Sequence, residues 1–171
     1  MIEVVVSRLG LDSSTQSYVV ILQEKDGQRV LPIWIGQPEA ESIVMQMHNV
    51  KRPRPLTHDL CKSLIVGLGG QLTRVNISRV EKNTYYAELH IARNGADVVQ
   101  VDARPSDSIA IALRLAAPIY AADALLTDVQ VEEASDAPDF EALQNEKELN
   151  AEQLKEYLER LRPEDFGKFN L

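Results

Sequence analysis

The alternation of apolar and polar positions reads as strands over residues 2–9, 18–24 and 29–35, followed by a helix over 38–48. Asp26-Gly27 is a hairpin signal between the second and third strands. Pro38 suits a first helical position, and Glu39 and Glu41 favour the positive end of a helix. The same order recurs in strands over 72–80, 84–92 and 97–101 and a helix over 105–116, with Asn94-Gly95 at the equivalent hairpin. An offset of 66 residues sets Ile35 on Val101, Glu41 on Asp107, Ser42 on Ser108 and Ile43 on Ile109. The pattern therefore predicts an α+β fold: a duplicated β3-α unit (about 1–50 and 71–117), mostly antiparallel, with helices packed on the sheets.

Between the halves a further helix is predicted over 57–68, with Thr57 as its N-cap and Gly69-Gly70 as its stop. Cys61 falls on its apolar face with Leu60, Leu64 and Leu68, which predicts a packed thiol. Trp34 is read as core or interface. A short strand is expected within 118–121, and the body within 1–131. The remainder, 132–171, reads as an acidic linker and then a charged amphipathic helix over 140–161, a solvated arm or a piece that docks a protein partner.

Charge changes this picture in one respect. Of the formal net charge of −8, residues 132–171 carry −7, leaving a body that is almost neutral. A neutral body with a local basic loop can meet phosphates, weakly and in a salt-sensitive way. No run reaches the roughly 18 apolar residues of a membrane span. The absence of a signal-peptide pattern and the single cysteine lead to the expectation of a cytoplasmic protein.

Candidate chemistry concentrates in two polar knots, each set before an apolar helix. The first is Asp102-Ala103-Arg104-Pro105-Ser106-Asp107, which follows the apolar run 98–101. With both flanks expected to be buried, its charges must pair, cap or meet a ligand. Pro105, Ser106 and Asp107 suit a helix start, and Arg104 suits an ion pair. Alternatively, two carboxylates hold a divalent metal while Arg104 grips a phosphate. The second knot is Arg54-Pro55-Leu56-Thr57-His58-Asp59-Leu60. His58 is suited to acid–base work or metal ligation, and free N–H groups at a helix start welcome a phosphate. As a surface turn, the same residues would merely cap the helix. Lys51-Arg52-Pro53-Arg54 places three cations beside it, suited to backbone phosphates. Phosphate-loop, zinc-finger, metalloprotease and Gly-x-Ser-x-Gly patterns are missing.

Three ordered segments give the chain a family likeness. Leu31-Pro32-Ile33-Trp34-Ile35-Gly36 with Glu39-Ala40, then 54–60, then 102–110 resemble the bifunctional nuclease (DNase/RNase, wound-responsive) domain over roughly 1–130. Ser108 and Ile111 stand where alanine and leucine are expected. The resemblance implies an α+β fold, phosphodiester hydrolysis on DNA and RNA, and self-association.

The leading expectation is thus a cytoplasmic, homo-oligomeric phosphodiesterase with little sequence preference. Asp59, Asp102 and Asp107 would hold Mg²⁺ or Mn²⁺, and His58 would move a proton. Arg104 and Arg54 would stabilise transition-state charge, while Lys51, Arg52, Thr57 and Glu39 contact substrate. The rival is a non-enzymatic oligomeric module binding an anion, a nucleotide or a protein. A third reading pairs Ser106 with His58 for hydrolysis of a small ester.

Overall fold

The computed structural model describes residues 1–12, 17–93 and 97–128. The expected tail helix over 140–161 and the Asn94-Gly95 turn lie outside the described residues. Three strands, β1 (Ile2–Asp12), β2 (Ser17–Glu24) and β3 (Val30–Ile35), lead into α1 (Gln37–Met47). Helix α2 (Thr57–Gly67) follows, then β4 (Gly70–Glu81), β5 (Thr84–Arg93), β6 (Asp97–Ala103) and α3 (Pro105–Leu115). Strand β7 (Ile119–Ala121) and a 3₁₀ turn (Asp123–Leu125) complete the order.

All seven strands form one sheet, in the order β3-β2-β1-β7-β4-β5-β6. Neighbours pair antiparallel except β7 and β4, which run parallel. Each half is thus a three-stranded meander ending in a helix, and β7 lies between them: Ile119 is opposite Val4 on one side and Val75 on the other. The tightest hairpin joins β4 to β5 through Lys82 and Asn83 at φ 47° and 60°, as a type I′ turn requires. Asp26-Gly27 lies in a looser loop closed by Glu24 N–H to Arg29 C=O, 2.9 Å.

Helix α1 packs on α3 and on β2, while α2 packs on α3 and β4. The core between helices and sheet is aliphatic: Val20, Leu22, Ile43, Val75, Ile77 and Ile109 have no solvent exposure. Along β2 the consecutive residues Val19 to Leu22 are all buried, so both faces of that strand are covered.

Two expectations need correcting, and a third, Trp34 as core or interface, loses its core half. Strand β6 is not buried: Val98, Val99 and Val101 are 54%, 49% and 40% exposed, because β6 is the last strand of the described sheet and, among the described residues, the helices pack on β2, β4 and β5. The leucine face of α2 is not packed either, since Leu60, Leu64 and Leu68 face solvent and no α2 residue is fully buried. Trp34 is half exposed on edge strand β3, its indole N–H bonded to Asp12 Oδ2 at 3.0 Å.

Candidate active site at three helix starts

The two polar knots meet because both helices they introduce begin at the same place, with the first turn of α1 beside them. Arg104 occupies the N-cap position of α3 in an extended conformation. Its Nε and Nη2 bind the two oxygens of Asp107 at 2.7 and 3.0 Å, a bidentate fork, and Nη2 also reaches Glu39 Oε1 of α1 at 2.7 Å. Asp107 in turn meets His58 Nε2 of α2 at 3.1 Å. The other ring nitrogen, Nδ1, lies 2.7 Å from Ser42 Oγ of α1. The chain Ser42–His58–Asp107–Arg104–Glu39 therefore crosses all three helices.

Charge within this network is well defined. Burial works to raise the Asp107 pKa, but hydrogen bonds from Arg104 and His58 outweigh it and hold the carboxyl below its ordinary value. The ionised Asp107 accepts a hydrogen bond, so an imidazole with a single N–H carries it on Nε2, and the Ser42 hydroxyl donates to Nδ1. His58 is largely enclosed, with 13% of its side chain exposed, whereas Arg104 is 65% exposed. The site thus presents a guanidinium to solvent, backed by two carboxylates and an oriented imidazole.

Asp59 serves a different purpose. Its Oδ2 accepts the Leu56 N–H at 2.9 Å and its Oδ1 accepts Arg114 Nε at 2.6 Å. Burial opposes its ionisation, and Arg114 and the Leu56 amide override that and lower its pKa. Arg114 is buried and also donates to the carbonyls of Ser42 and Ala110, at 3.2 and 2.9 Å. One guanidinium on α3 thereby ties the middle of α1 to the start of α2.

Several expected roles move. The N-cap of α2 is Leu56, with Thr57 its first, exposed residue. The serine that meets His58 is Ser42, while Ser106 is buried in the first turn of α3. Asp102 stands opposite Glu88 on β6, on the side of the sheet away from the Ala103–Ala87 pair, and none of the network's hydrogen bonds reaches it. Asp59 and Asp107 are taken by arginines, and no cluster of three metal-ligating side chains occurs among the described residues. The three-aspartate set therefore does not fit a divalent ion in this arrangement. Lys51, Arg52 and Arg54 are exposed in the loop leading to α2, with Arg52 Nε 3.4 Å from Met45 sulfur. Ser42 and Arg114 are the residues that sequence reasoning missed, although the 66-residue offset had set Ser42 on Ser108.

A sheet built of two meanders, with arginine, carboxylates and histidine gathered at the helix starts, defines a small α+β domain with a polar centre at its helix ends. The bifunctional nuclease domain profile matches residues 20–134, and the chain belongs to that family. It is 42% identical over 164 residues to an uncharacterized protein of Mycobacterium tuberculosis, covering 96% of this chain and 97% of that one. A protein of Arabidopsis thaliana named bifunctional nuclease 2 is 31% identical over 103 residues, 58% of this chain and 31% of that protein. Bifunctional nuclease 1 of Oryza sativa is 28% identical over 114 residues, 65% and 34% respectively. Among the described residues no helix is long and apolar enough to cross a membrane.

Proposed function

We propose that this protein hydrolyses phosphodiester bonds of DNA and RNA with little sequence preference, acting as a cytoplasmic homo-oligomer at the meeting point of α1, α2 and α3. The observation that carries the reading is the Ser42–His58–Asp107–Arg104–Glu39 chain, in which a solvent-facing arginine lies next to a histidine fixed at both ring nitrogens. A phosphate competes with Asp107 and Glu39 for Arg104 and finds unsatisfied N–H groups at the helix starts. Lys51, Arg52 and Arg54 hold the flanking backbone, and Thr57 adds a hydroxyl at the entrance of α2.

Asp107 is held ionised and is a poor base, so it orients His58 rather than accepting the proton of water itself. Ser42 Oγ takes that proton as the water oxygen attacks phosphorus while passing its own hydrogen to His58 Nδ1, and the same relay returns a proton to the oxygen that leaves when the P–O bond breaks. Ser42 fixes the ring, and Asp59 acts through Arg114 to hold α2. Mg²⁺ or Mn²⁺ belongs to this reading only as an ion carried in with the phosphates, and no step is routed through it. The rival, a module that binds an anion without turnover, draws on Arg104 being paired twice by its own carboxylates.

Purified protein incubated with labelled single-stranded RNA and DNA, with Mg²⁺, Mn²⁺ or EDTA, decides between them. His58→Gln is expected to cut cleavage of both by about a hundredfold or more, as loss of an acid–base group does. Asp102→Asn, which lies off the network, should stay near the parent. Equal cleavage by folded His58→Gln would sink the assignment, and saturable binding without turnover in all three proteins would leave the binding module.

A further inference from the structure

The two edges of the sheet are finished differently. At one end, β3 carries Pro32, which has no N–H to offer a further strand. Its Val30 is also bridged on both backbone groups by Thr127, N to O at 2.9 Å in each direction. At the other end, β6 pairs only with β5 among the described residues, and each residue from Asp97 to Asp102 is exposed. It has neither proline nor lysine, the usual means of closing an edge. The outward N–H and C=O groups of its alternate residues are therefore open to another strand.

The two sides of this edge call for different side chains. On the side of the helices, Val99 and Val101 stand opposite Ile91 and Leu89 and are 49% and 40% exposed. An aliphatic residue beside each of them carries the core outward by one strand. On the other side, Asp102 stands opposite Glu88, a like-charge pair that costs stability unless a cation joins it. None joins it among the described residues: Asp102 makes no side-chain hydrogen bond or ion pair, and Glu88 meets only His90 Nε2, at 3.4 Å. The next guanidinium along the chain, Arg104, is held by Asp107 and Glu39. By strand alternation, a segment with aliphatic residues beside Val99 and Val101 presents its other face to Asp102. A second β6 fits poorly there, since it brings further aspartates and no cation.

We infer that β6 docks an extended segment of another protein, aliphatic on one face and cationic on the other, which continues the sheet beyond its last strand. In antiparallel pairing the segment starts beside Ala103. Its second residue, a lysine or arginine, lies beside Asp102, and its third and fifth, both aliphatic, lie beside Val101 and Val99. Main-chain hydrogen bonds supply the affinity and the side chains supply the choice of partner. The inference rests neither on the chemistry of the proposed function nor on self-association.

Calorimetry on the full chain tests it, with the end-blocked heptapeptide Ala-Lys-Val-Thr-Val-Thr-Ala as probe. Saturable binding, one peptide per chain, is expected. Glutamate in place of the peptide's lysine should weaken binding about fivefold or more, as a cross-strand pair turns from attraction to repulsion. Asp102→Lys should reverse that preference, which a merely damaged surface would not do. Should Asp102→Lys misfold by circular dichroism, the peptides decide on the parent chain alone. N-methylation separates strand pairing from charge: methyl groups on one alternate set of peptide amides should abolish binding, and on the other set should leave it. In the chain alone, the outward amides of β6 should exchange with deuterium quickly and be slowed by the peptide. No saturation at millimolar peptide, equal affinity for the lysine and glutamate forms, or equal effects of the two methylated sets would each overturn the inference. Slow exchange of those amides before peptide is added would mean that a second copy or the chain itself already holds the edge, and overturns it as well.

Discussion

Helices α2 and α3 are alike in sequence and opposite in circumstance. Each is 11 residues long, follows a polar knot and is mostly apolar. Yet eight residues of α3 are buried and none of α2 is. The difference comes from position: α3 lies across β4 and β5 with a helix on either side, whereas α2 packs mainly on α3 and β4 among the described residues and turns Leu60, Leu64 and Leu68 outward. Apolar composition thus states what a helix can bury, and topology decides what it does bury. The polar starts behave the other way. Both knots are drawn into one network because Arg114 and Asp107, both on α3, reach across to α2.

The largest expected effect separates the two helices by stability. Ile109 is fully buried beneath α3, so Ile109→Ala removes its methyl groups and leaves a cavity. A loss of about 2–5 kcal/mol follows for such a core truncation. It should appear as a lower urea midpoint at unchanged slope. A loss under about 1 kcal/mol would mean that α3 is not the keystone of the core.

The fold was legible in the chain because its elements obey local rules. Strand alternation, Pro38 and Pro105 at helix starts and Gly69 at φ 75° after α2 each act within a few residues. Proximity of the two knots was legible only as a possibility, since it depends on three helices beginning at one place. The pairing of His58 with Ser42 spans 16 residues, and that of Asp59 with Arg114 spans 55. No periodicity encodes such partners. Asp102 shows the same limit at short range: one step of strand alternation puts it on the other side of the sheet from Ala103, while Arg104 joins the network. The exposure of β6 was hidden because an apolar edge strand and an apolar central strand read the same.

A smaller effect distinguishes the two carboxylate anchors by acid and salt. Both Asp59 and Asp107 are held below the ordinary carboxyl value when folded. The unfolded chain therefore binds protons more readily around pH 4, near the ordinary value of ~3.9. Their contribution to stability is present above that pH and is lost as pH falls through the folded values. Asp107→Asn and Asp59→Asn should each flatten part of this loss in urea midpoints measured across the acid range. Salt then tells them apart. The Asp107 partner Arg104 is 65% exposed and should be screened at about 0.5 M salt, while Arg114, 4% exposed, should not. Equal salt sensitivity in the two variants would show that burial of Arg114 does not shield its pair.

The smallest expected effect on stability concerns the face of α2 that Ile109 does not share. Leu64 is 52% exposed, so Leu64→Gln removes little contact and keeps a good helix former. The urea midpoint should move by no more than about 0.5 kcal/mol in either direction. That near-zero result, beside the large loss at Ile109, would establish that two equally apolar helices differ in what they hold. Loss of several kcal/mol would mean that α2 is covered in solution.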